Sequence, residues 1–331
     1  MPMIVDGSLP ASIAEGARVL AAGGLVAFPT ETVYGLGADA GSDRAVAGIF
    51  AAKGRPSDHP LIVHVPDAQA ADRFAASIPL VARKLMAAFW PGPLTLILPR
   101  RPAMAAAAAG GQDTVGLRCP AHPVAHALLL ACAGATPPVY GLAAPSANRF
   151  GRVSPTTAAH VAAEFADHLL VLDGGATPVG IESAIVDCSR GAPVLLRPGT
   201  LTREQIQQAC GERLRLPEEM VGAGPRASGT LESHYAPDAK VRLMDGRSLQ
   251  IALDVLGADA ASIAVYARTP VRTQAARLRR MPDDAVETAR QLFAVLREFD
   301  AAGVKLIWVE SPPDTPEWEG VCDRLRRAAA S

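Results

Sequence analysis

The sequence predicts an α/β fold in which a twisted open sheet with helices is followed by a smaller α/β domain. Three observations predict it. Short apolar runs alternate with helical patterns through the first 200 residues. A stretch rich in Gly, Pro, Ser and acidic residues interrupts this alternation, and strand and helix patterns return after it. The chain has 331 residues, of which 49% are hydrophobic and 20% charged, so it can build two cores.

In the first part of the chain, short apolar runs predict strands, and apolar positions at helical spacing predict the helices between them. The predicted strands are Leu25–Phe28, Leu61–Val65, Leu94–Leu98, Leu169–Leu172, Ala184–Val186 and Val194–Leu196. The predicted helices are Ala11–Ala22, Arg44–Lys53, Ile78–Phe89, Pro123–Cys132 and Thr156–Phe165. We expect these elements to form one domain, residues 1–210, around a central sheet.

The second part of the chain begins with a predicted linker, residues 211–237, which contains the irregular segment LPEEMVGAGPRASGTLESHYAP. Alternating strand and helix patterns after it predict a smaller Rossmann-like domain, residues 238–331. Its predicted strands are Val241–Met244, Ile263–Tyr266 and Lys305–Val309, and its predicted helices are Ala285–Asp300 and Gly320–Ala329. We assign no chemistry to the sequence of this domain.

Composition and charge exclude several classes of protein. The 32 Lys and Arg residues balance 33 Asp and Glu residues, which argues against a protein that binds nucleic acid through its overall charge. No apolar run has the roughly 18 residues that a membrane-spanning helix needs, and MPMIVDGSLP lacks the features of a signal peptide. The five cysteines are scattered without a C-x-x-C pair. We therefore expect a cytoplasmic protein with no membrane partner.

Cationic residues lie at the ends of predicted elements. Lys53 and Arg55 end a helix before a proline-stiffened loop, and Arg118 and Arg197 each lie at the end of an apolar run, close to a proline. If the sheet gathers these ends, the four cations form a concave site for a polyanion beside a small polar molecule. Helix-dipole pairing and structural turns are the alternative interpretations at each position. The residues alone thus predict a phosphorylated ligand and leave the reaction open.

A set of motifs in this order resembles the catalytic, YrdC-like domain of the threonylcarbamoyl-AMP synthases. The motifs are PTETVYGLG, KGRPSDHPLIVHV, WPGPLTLIL, GLRCP, APSANRFGRVSPT, GIESAIVD and LRPG, and they span roughly residues 12–200. The SHYAP segment of the linker and the trailing domain are similar to the two-domain form of this family, in which the linker passes near the active site. The family pattern S-P-G-M is replaced here by Ala227-Ser228-Gly229-Thr230.

The resemblance implies a reaction and its partners. L-threonine, bicarbonate or CO2, and ATP would give threonylcarbamoyl-AMP and pyrophosphate, with Mg²⁺ arriving with ATP and no protein side chain as a metal ligand. The product would feed the N6-threonylcarbamoyl modification of adenosine 37 in tRNA. A separate transferase would pass the group to tRNA, so only a weak tRNA contact is implied for this chain.

The resemblance also implies residue roles. Lys53 and Arg55 match the catalytic pair that contacts the nucleotide phosphates and the carbamate. The positions implied to hold threonine are Thr32, His64, Arg118, Ala144 through its backbone, and Ser183, with Arg118 as the partner of the carboxylate. Besides the catalytic pair, the positions implied to hold ATP are His59, Thr114, Ser146, Asn148, Ser154, Arg197, His234 and Tyr235. The last two belong to the linker and would close over the nucleotide.

Two other functions are compatible with a fold of this kind. One is a non-catalytic RNA-binding protein with a basic concave face, against which the intact K-x-R and S-x-N patterns argue. The other is the carbamoyl-phosphate-using hydrogenase maturation factor, which embeds a similar domain. That protein carries paired C-x-x-C zinc modules, and this sequence has none. The synthase is therefore the preferred interpretation.

Overall fold

A computed structural model describes residues 2–165, 168–231 and 234–330. The strands of the first domain are β1 (Met3–Asp6), β2 (Val26–Pro29), β3 (Tyr34–Asp39), β4 (Ile62–His64), β5 (Leu94–Pro99), β6 (Thr114–Arg118), β7 (Leu142–Ala143), β8 (Leu170–Asp173), β9 (Ala184–Asp187) and β10 (Val194–Arg197). Its helices are α1 (Pro10–Ala21), α2 (Asp43–Lys53), α3 (Leu80–Phe89), α4 (Pro123–Ala133), α5 (Ala158–Glu164) and α6 (Arg203–Cys210).

These strands form one mixed sheet in the order β1-β8-β2-β3-β7-β4-β6-β5-β9-β10. Strand β4 runs parallel to β6 and pairs His64 with Arg118. Strand β9 starts beside the start of β5, and β10 returns antiparallel to β9 with Arg197 opposite Ile185. The strand ends that carry His64, Arg118 and Arg197 therefore meet at one edge of the sheet.

The strands and helices predicted for the first domain are present, and their ends differ from the prediction by one or two residues. Strands β1, β3 and β7 and helix α6 are not among the predicted elements, and β6 coincides with the apolar run that ends at Arg118. Strand β3 contains two glycines and lacks an apolar run, but it is buried between β2 and β7, and its pairing with both makes it a strand. Tertiary pairing thus outweighs its weak local preference for extended structure.

The second domain confirms the predicted α/β class with a small parallel sheet ordered β11-β14-β12-β13. Its elements are β11 (Lys240–Met244), α7 (Gly246–Leu256), β12 (Ala264–Ala267), β13 (Arg277–Arg280), α8 (Ala285–Ala301), β14 (Leu306–Glu310) and α9 (Glu319–Ala329). Helix α7 and strand β13 are not predicted. All four residues of β13 are exposed, so this edge strand needs no apolar run.

The two domains pack closely through α8 and α9. One hydrophobic cluster joins Val33, Val153 and Ile181 of the first domain to Phe293 of α8 and Leu325 of α9. Ion pairs add to this contact, with Arg203 of the first domain bound to Glu319 of α9. The second domain is therefore part of the same buried structure that supports the sheet edge described above.

Gly180 offers a test of this packing. Its φ is +83°, and a Cβ there would lie 2.4 Å from the Ala289 backbone oxygen and 2.4 Å from the Arg290 Cα of α8. Gly175 has a φ of +81°, but in the described chain a Cβ there meets nothing within 4 Å. Both alanine variants carry the same φ penalty. We expect Gly180→Ala to lower the free energy of unfolding by about 2 kcal/mol more than Gly175→Ala, as measured by urea unfolding. Equal losses of stability in the two variants would show that α8 moves away from the added methyl group without a loss of free energy.

Some features are absent from residues 2–165, 168–231 and 234–330. None of their helices combines the length and the apolar character needed to cross a membrane. In the same residues, no group of three or more His, Cys, Asp or Glu side chains is arranged to hold a metal ion. The five cysteines are free and buried.

Candidate active site

A small cavity lies at the sheet edge where these strand ends meet, and the linker covers it. About 40 Å³ of free space remains inside, which is room for a water molecule or two and not for two substrates. The described residues that line it are Thr30, Val33, Gly35, Arg55, Ile62, His64, Arg118, Ala144, Pro145, Ser146, Glu182, Arg197, Ser228, Gly229, His234 and Tyr235.

Most of the implied site residues line the cavity or lie directly behind it. Those behind the lining are buried side chains: Thr32, Lys53, Asn148, Ser154 and Ser183. His59 is half-buried and lies edge-on to the ring of Phe150, 5.3 Å between ring centres. Thr114 is at the opposite end of β6 from Arg118, where it pairs with Pro99 outside the cavity lining.

Lys53 is the last residue of α2, which Gly54 ends in the left-handed conformation. The ammonium group of Lys53 is buried and donates to the backbone oxygens of Ser146, at 2.6 Å, and of Asn148. Burial and the neighbouring charge of Arg55 hold the pKa of Lys53 well below its ordinary value. This environment disfavours the charged form of the amine. A bound anion would therefore stabilise the protonated Lys53.

Arg55 lies in the proline-stiffened loop after α2 and faces the cavity. Its Nη2 donates to the Pro60 backbone oxygen at 2.9 Å, and the Phe150 ring centre lies 5.5 Å from its guanidinium carbon. Burial lowers the pKa of Arg55 to about 10. Within the described residues neither Arg55 nor Lys53 forms a salt bridge with a carboxylate, which leaves both cations for an anionic ligand.

Arg118 and His64 are side by side on β6 and β4. Arg118 Nη2 forms a buried ion pair with Glu31 Oε1 at 2.6 Å, and Glu31 Oε2 accepts the Ala121 backbone N–H at 3.0 Å. In the described chain, Arg118 Nη1 has no hydrogen-bond partner, and neither has the buried Nδ1 of His64. One guanidinium nitrogen of Arg118 is therefore available to a polar ligand in the cavity, which His64 also lines.

Arg197, at the end of β10, connects the sheet to the linker. Its Nε donates to the Ser183 backbone oxygen at 3.1 Å and its Nη2 to Ser183 Oγ at 3.3 Å. Its Nη1 donates to the Ser228 backbone oxygen at 2.8 Å. Ser183 Oγ also lies 2.8 Å from Thr95 Oγ1. The Ser228 carbonyl of the linker thus accepts the hydrogen bond of Arg197 Nη1, a donor that an anionic ligand could use instead.

The linker fills the cavity through residues on both sides of the undescribed positions 232 and 233. His234 is edge-on to Phe150 and packs against Tyr235, whose hydroxyl lies 3.5 Å from the Gly229 backbone oxygen. A Cβ at Gly229 would lie 2.2 Å from that hydroxyl and 2.6 Å from Arg197 Nη1, so only glycine fits here. The departure at 227–230 from the family pattern therefore keeps the linker in close contact with the site.

Residues 18–199 match the Sua5/YciO/YrdC family model, described as "Telomere recombination", and residues 201–330 match the model "Threonylcarbamoyl-AMP synthase, C-terminal domain". The chain is 39% identical to the threonylcarbamoyl-AMP synthase of Pyrococcus abyssi, over 93% of this chain and 91% of that protein. The chain belongs to the threonylcarbamoyl-AMP synthase family.

Further members of this family agree in length and structure. The Bacillus subtilis threonylcarbamoyl-AMP synthase is 38% identical over 96% of this chain and 92% of its own. The crystal structure of P. abyssi Sua5 complexed with L-threonine matches with a TM-score of 0.89 at 36% identity, over 99% of this chain and 97% of that one. A P. abyssi Sua5 variant with alanine in place of a histidine and the following tyrosine matches with the same TM-score. The fold over both domains is thus that of the family.

Sequence reasoning missed several residues of this threonylcarbamoyl-AMP synthase family site. Glu31 and Glu182 lie inside the family motifs, and a carboxylate in a motif rich in cations could have indicated an ion pair. In the structure Glu31 pairs with Arg118 and Glu182 pairs with Arg324. Glu182 also accepts a hydrogen bond from the hydroxyl of Ser154. Arg324 belongs to α9, and no local pattern distinguishes it from the other arginines of that helix.

His64 provides a pH test of burial at the site. Burial and the charge of Arg118 lower its pKa to about 3. The ordinary pKa is about 6.5, so between these values the unfolded chain binds a proton that the native chain does not. Native stability present above about pH 6.5 is therefore lost as the pH falls, by up to roughly 1.4 kcal/mol per pH unit for this residue.

We expect His64→Gln to show a shallower pH dependence of the free energy of unfolding than the wild type between about pH 4.5 and 6.5. Urea unfolding at several pH values measures this slope. His126→Gln, at an exposed position, is the control and should keep the wild-type slope. Identical slopes in all three proteins would mean that His64 has the same pKa in the native and unfolded states, which would contradict the effect of burial.

Proposed function

We propose that this protein is a nucleotidyltransferase that forms threonylcarbamoyl-AMP from L-threonine, bicarbonate or CO2, and Mg·ATP, releasing pyrophosphate. The observation that carries the proposal is that Arg55, Arg118 and Arg197 line one cavity in a member of this family. The product would supply the N6-threonylcarbamoyl group of adenosine 37 in tRNA through a separate transferase. The net charge of −1 is consistent with at most a weak tRNA contact.

The threonine subsite is proposed at Arg118 and His64. Arg118 Nη1 would donate to the carboxylate, while the ion pair with Glu31 holds the guanidinium in place. The neutral imidazole of His64, with its pKa of about 3, lines the cavity and would accept a hydrogen bond from the threonine hydroxyl or amine. The P. abyssi Sua5 complex with L-threonine supports an amino-acid subsite in this family.

The nucleotide subsite is proposed where Lys53, Arg55 and Arg197 converge. These cations would neutralise the phosphates and hold the α-phosphorus in line with the incoming oxygen. Because the Ser228 backbone oxygen accepts from Arg197 Nη1 and little free volume remains, the linker segment around Ser228 would leave Arg197 when ATP binds, while Tyr235 would stay in place. His234 and Tyr235 are then placed to close over the bound nucleotide.

The proposed reaction has two steps. The lone pair of the neutral threonine amine attacks CO2, an N–C bond forms, and the nitrogen proton passes to solvent. A carbamate oxygen then attacks the α-phosphorus, and the bond to the bridging oxygen breaks as pyrophosphate leaves. The protein contributes alignment and charge neutralisation, and no enzyme-bound covalent intermediate is required.

The test is pyrophosphate release by the purified full chain with Mg·ATP and bicarbonate, with and without L-threonine. Rapid mass spectrometry of the same samples looks for threonylcarbamoyl-AMP. We expect threonine-dependent pyrophosphate together with that adduct. Folded protein that releases none, but binds RNA in a salt-sensitive and threonine-independent way, would reject this function in favour of a non-catalytic RNA-binding protein.

A further inference from the structure

Arg324 of α9 reaches out of the second domain into the first. Its side chain is fully buried, and its Nε donates to Glu182 Oε2 at 2.9 Å. Its Nη2 donates to the Glu182 backbone oxygen at 3.0 Å, and its Nη1 donates to the Pro198 backbone oxygen at 2.9 Å. One guanidinium from the second domain thereby joins two separate segments of the first.

Both segments carry side chains of the candidate active site. Glu182 precedes Ser183 and itself lines the cavity, and Pro198 follows Arg197. Arg197 donates to both the backbone and the hydroxyl of Ser183, so hydrogen bonds also join the two segments directly to each other. A shift of the Arg324 guanidinium would therefore be transmitted to the cavity wall, although Arg324 does not line it.

The linker rests on the same guanidinium. The guanidinium carbon of Arg324 lies 5.3 Å from the ring centre of Tyr235, in a cation–π contact. The same ring also stacks on Phe293 of α8, with 5.5 Å between ring centres. The part of the linker that closes the cavity is thus held by side chains of the second domain.

Arg324 also stabilises the charge of a buried carboxylate, that of Glu182, at the cavity. Glu182 places a buried carboxylate in a site built from cations, and burial alone would favour its neutral form. Burial raises the pKa of Glu182, but the charges of Arg324 and Arg197 and the hydrogen bonds from Ser154 and Arg324 together lower it below its ordinary value. Because Arg324 forms the direct ion pair, the donors of Arg197 remain directed at Ser183 and Ser228.

We propose that Arg324 is a positioning residue. Through it the C-terminal domain holds three segments in place for the nucleotide: Glu182, the turn at Pro198, and Tyr235 of the linker. The inference deepens the proposed function and rests on it. It assigns the second domain a defined contribution to the active site: the domain supplies one buried arginine that orders three segments and touches no substrate.

Steady-state kinetics of full-length variants test the proposal. We expect Arg324→Gln to lower kcat/KM for ATP by about 100-fold, the scale of a small misplacement of site groups. Arg324→Lys keeps the charge but not the geometry of the three donors, and we expect a smaller loss, about tenfold. Arg326→Gln, on an exposed position of the same helix, should remain within about twofold of the wild type. A wild-type kcat/KM in Arg324→Gln would overturn the proposal.

A double-variant comparison separates positioning from general stabilisation. Each loss in kcat/KM for ATP is converted to an activation free energy. If Arg324 acts through Glu182, the free-energy loss of the double variant Arg324→Gln, Glu182→Gln will be smaller than the sum of the two single free-energy losses. Full additivity would overturn the proposal. This readout does not require the variants to keep wild-type stability, because all are measured below their unfolding temperatures.

Hydrogen exchange tests the same role without relying on the reaction. Arg324→Gln should speed exchange in the segments 180–184, 196–199 and 234–236 and leave β5 unchanged. Unchanged exchange in all of them, or an equal rise in β5, would reject a positioning role. If the wild type makes no threonylcarbamoyl-AMP, the proposed function fails, and the exchange experiment still decides whether Arg324 orders these segments.

Discussion

Lys53→Ala and Arg55→Ala are each expected to lower the rate of threonine-dependent pyrophosphate release by about 100-fold or more. The physical reason is that both side chains are buried cations without a carboxylate partner in the described chain: Arg55 lines the cavity, and Lys53 lies behind it and donates to Ser146 of the lining. Negative charge develops on the leaving pyrophosphate, and a pre-positioned cation stabilises it without reorganisation. The loss should appear mainly in kcat, measured with saturating threonine and ATP.

Two further variants control this experiment. Lys53→Met keeps the apolar stem of the side chain and removes the ammonium group, with its charge and its two hydrogen bonds to backbone oxygens, so it should be as slow as Lys53→Ala. Lys84→Met removes another lysine that donates to a backbone oxygen, that of Cys210 at 3.0 Å, but Cys210 is not part of the cavity lining, whereas Ser146, to which Lys53 donates, is. We expect it to keep the wild-type rate. A near-wild-type rate in either Lys53→Ala or Arg55→Ala would contradict the assigned role.

Arg118→Ala is expected to raise the KM for threonine by about 100-fold, because a charge-assisted hydrogen bond to the carboxylate is worth roughly 3 kcal/mol. The KM for ATP should change little. The same substitution leaves the Glu31 carboxylate buried without its partner. We therefore also expect the free energy of unfolding to fall by about 3–5 kcal/mol, the usual cost of breaking a buried pair.

Combining Arg118→Ala with Glu31→Gln separates the two effects. Glutamine keeps the shape of Glu31 and its acceptor for the Ala121 N–H but carries no charge, so stability should largely recover. The threonine KM should remain raised, because the guanidinium is still missing. Recovery of threonine binding in the double variant would show that Arg118 acts through stability alone.

Much of the fold and of the site could be predicted because the evidence is local. An apolar run such as Leu94–Leu98 reports burial on both faces, and a buried strand follows from the run itself. The cations at positions 53, 55, 118 and 197 lie in short polar segments at the ends of elements. The positions of those ends along the chain were sufficient to predict an anion site.

Other features could not be predicted because they depend on contacts between distant residues. Glu182 and Arg324 are 142 positions apart, and nothing around Arg324 differs from the rest of its helix. Glu31 and Arg118 are 87 positions apart, and only the packing of the turn after β2 against the end of β6 makes them a pair. The two-residue strand β7 exists because β3 and β4 lie on either side of it.

The sequence by itself determined the α/β class, the main elements, the family motifs and the candidate residues, since each is written in a short window of side-chain types. Only the tertiary structure decided which cations line the cavity, which carboxylates partner them, and that the linker occupies the space between them. It also decided that the second domain supplies Arg324. The physical reason is that burial, ion pairing and desolvation are set by neighbours in space, and the pairing of sheet edges brings these neighbours from distant parts of the chain.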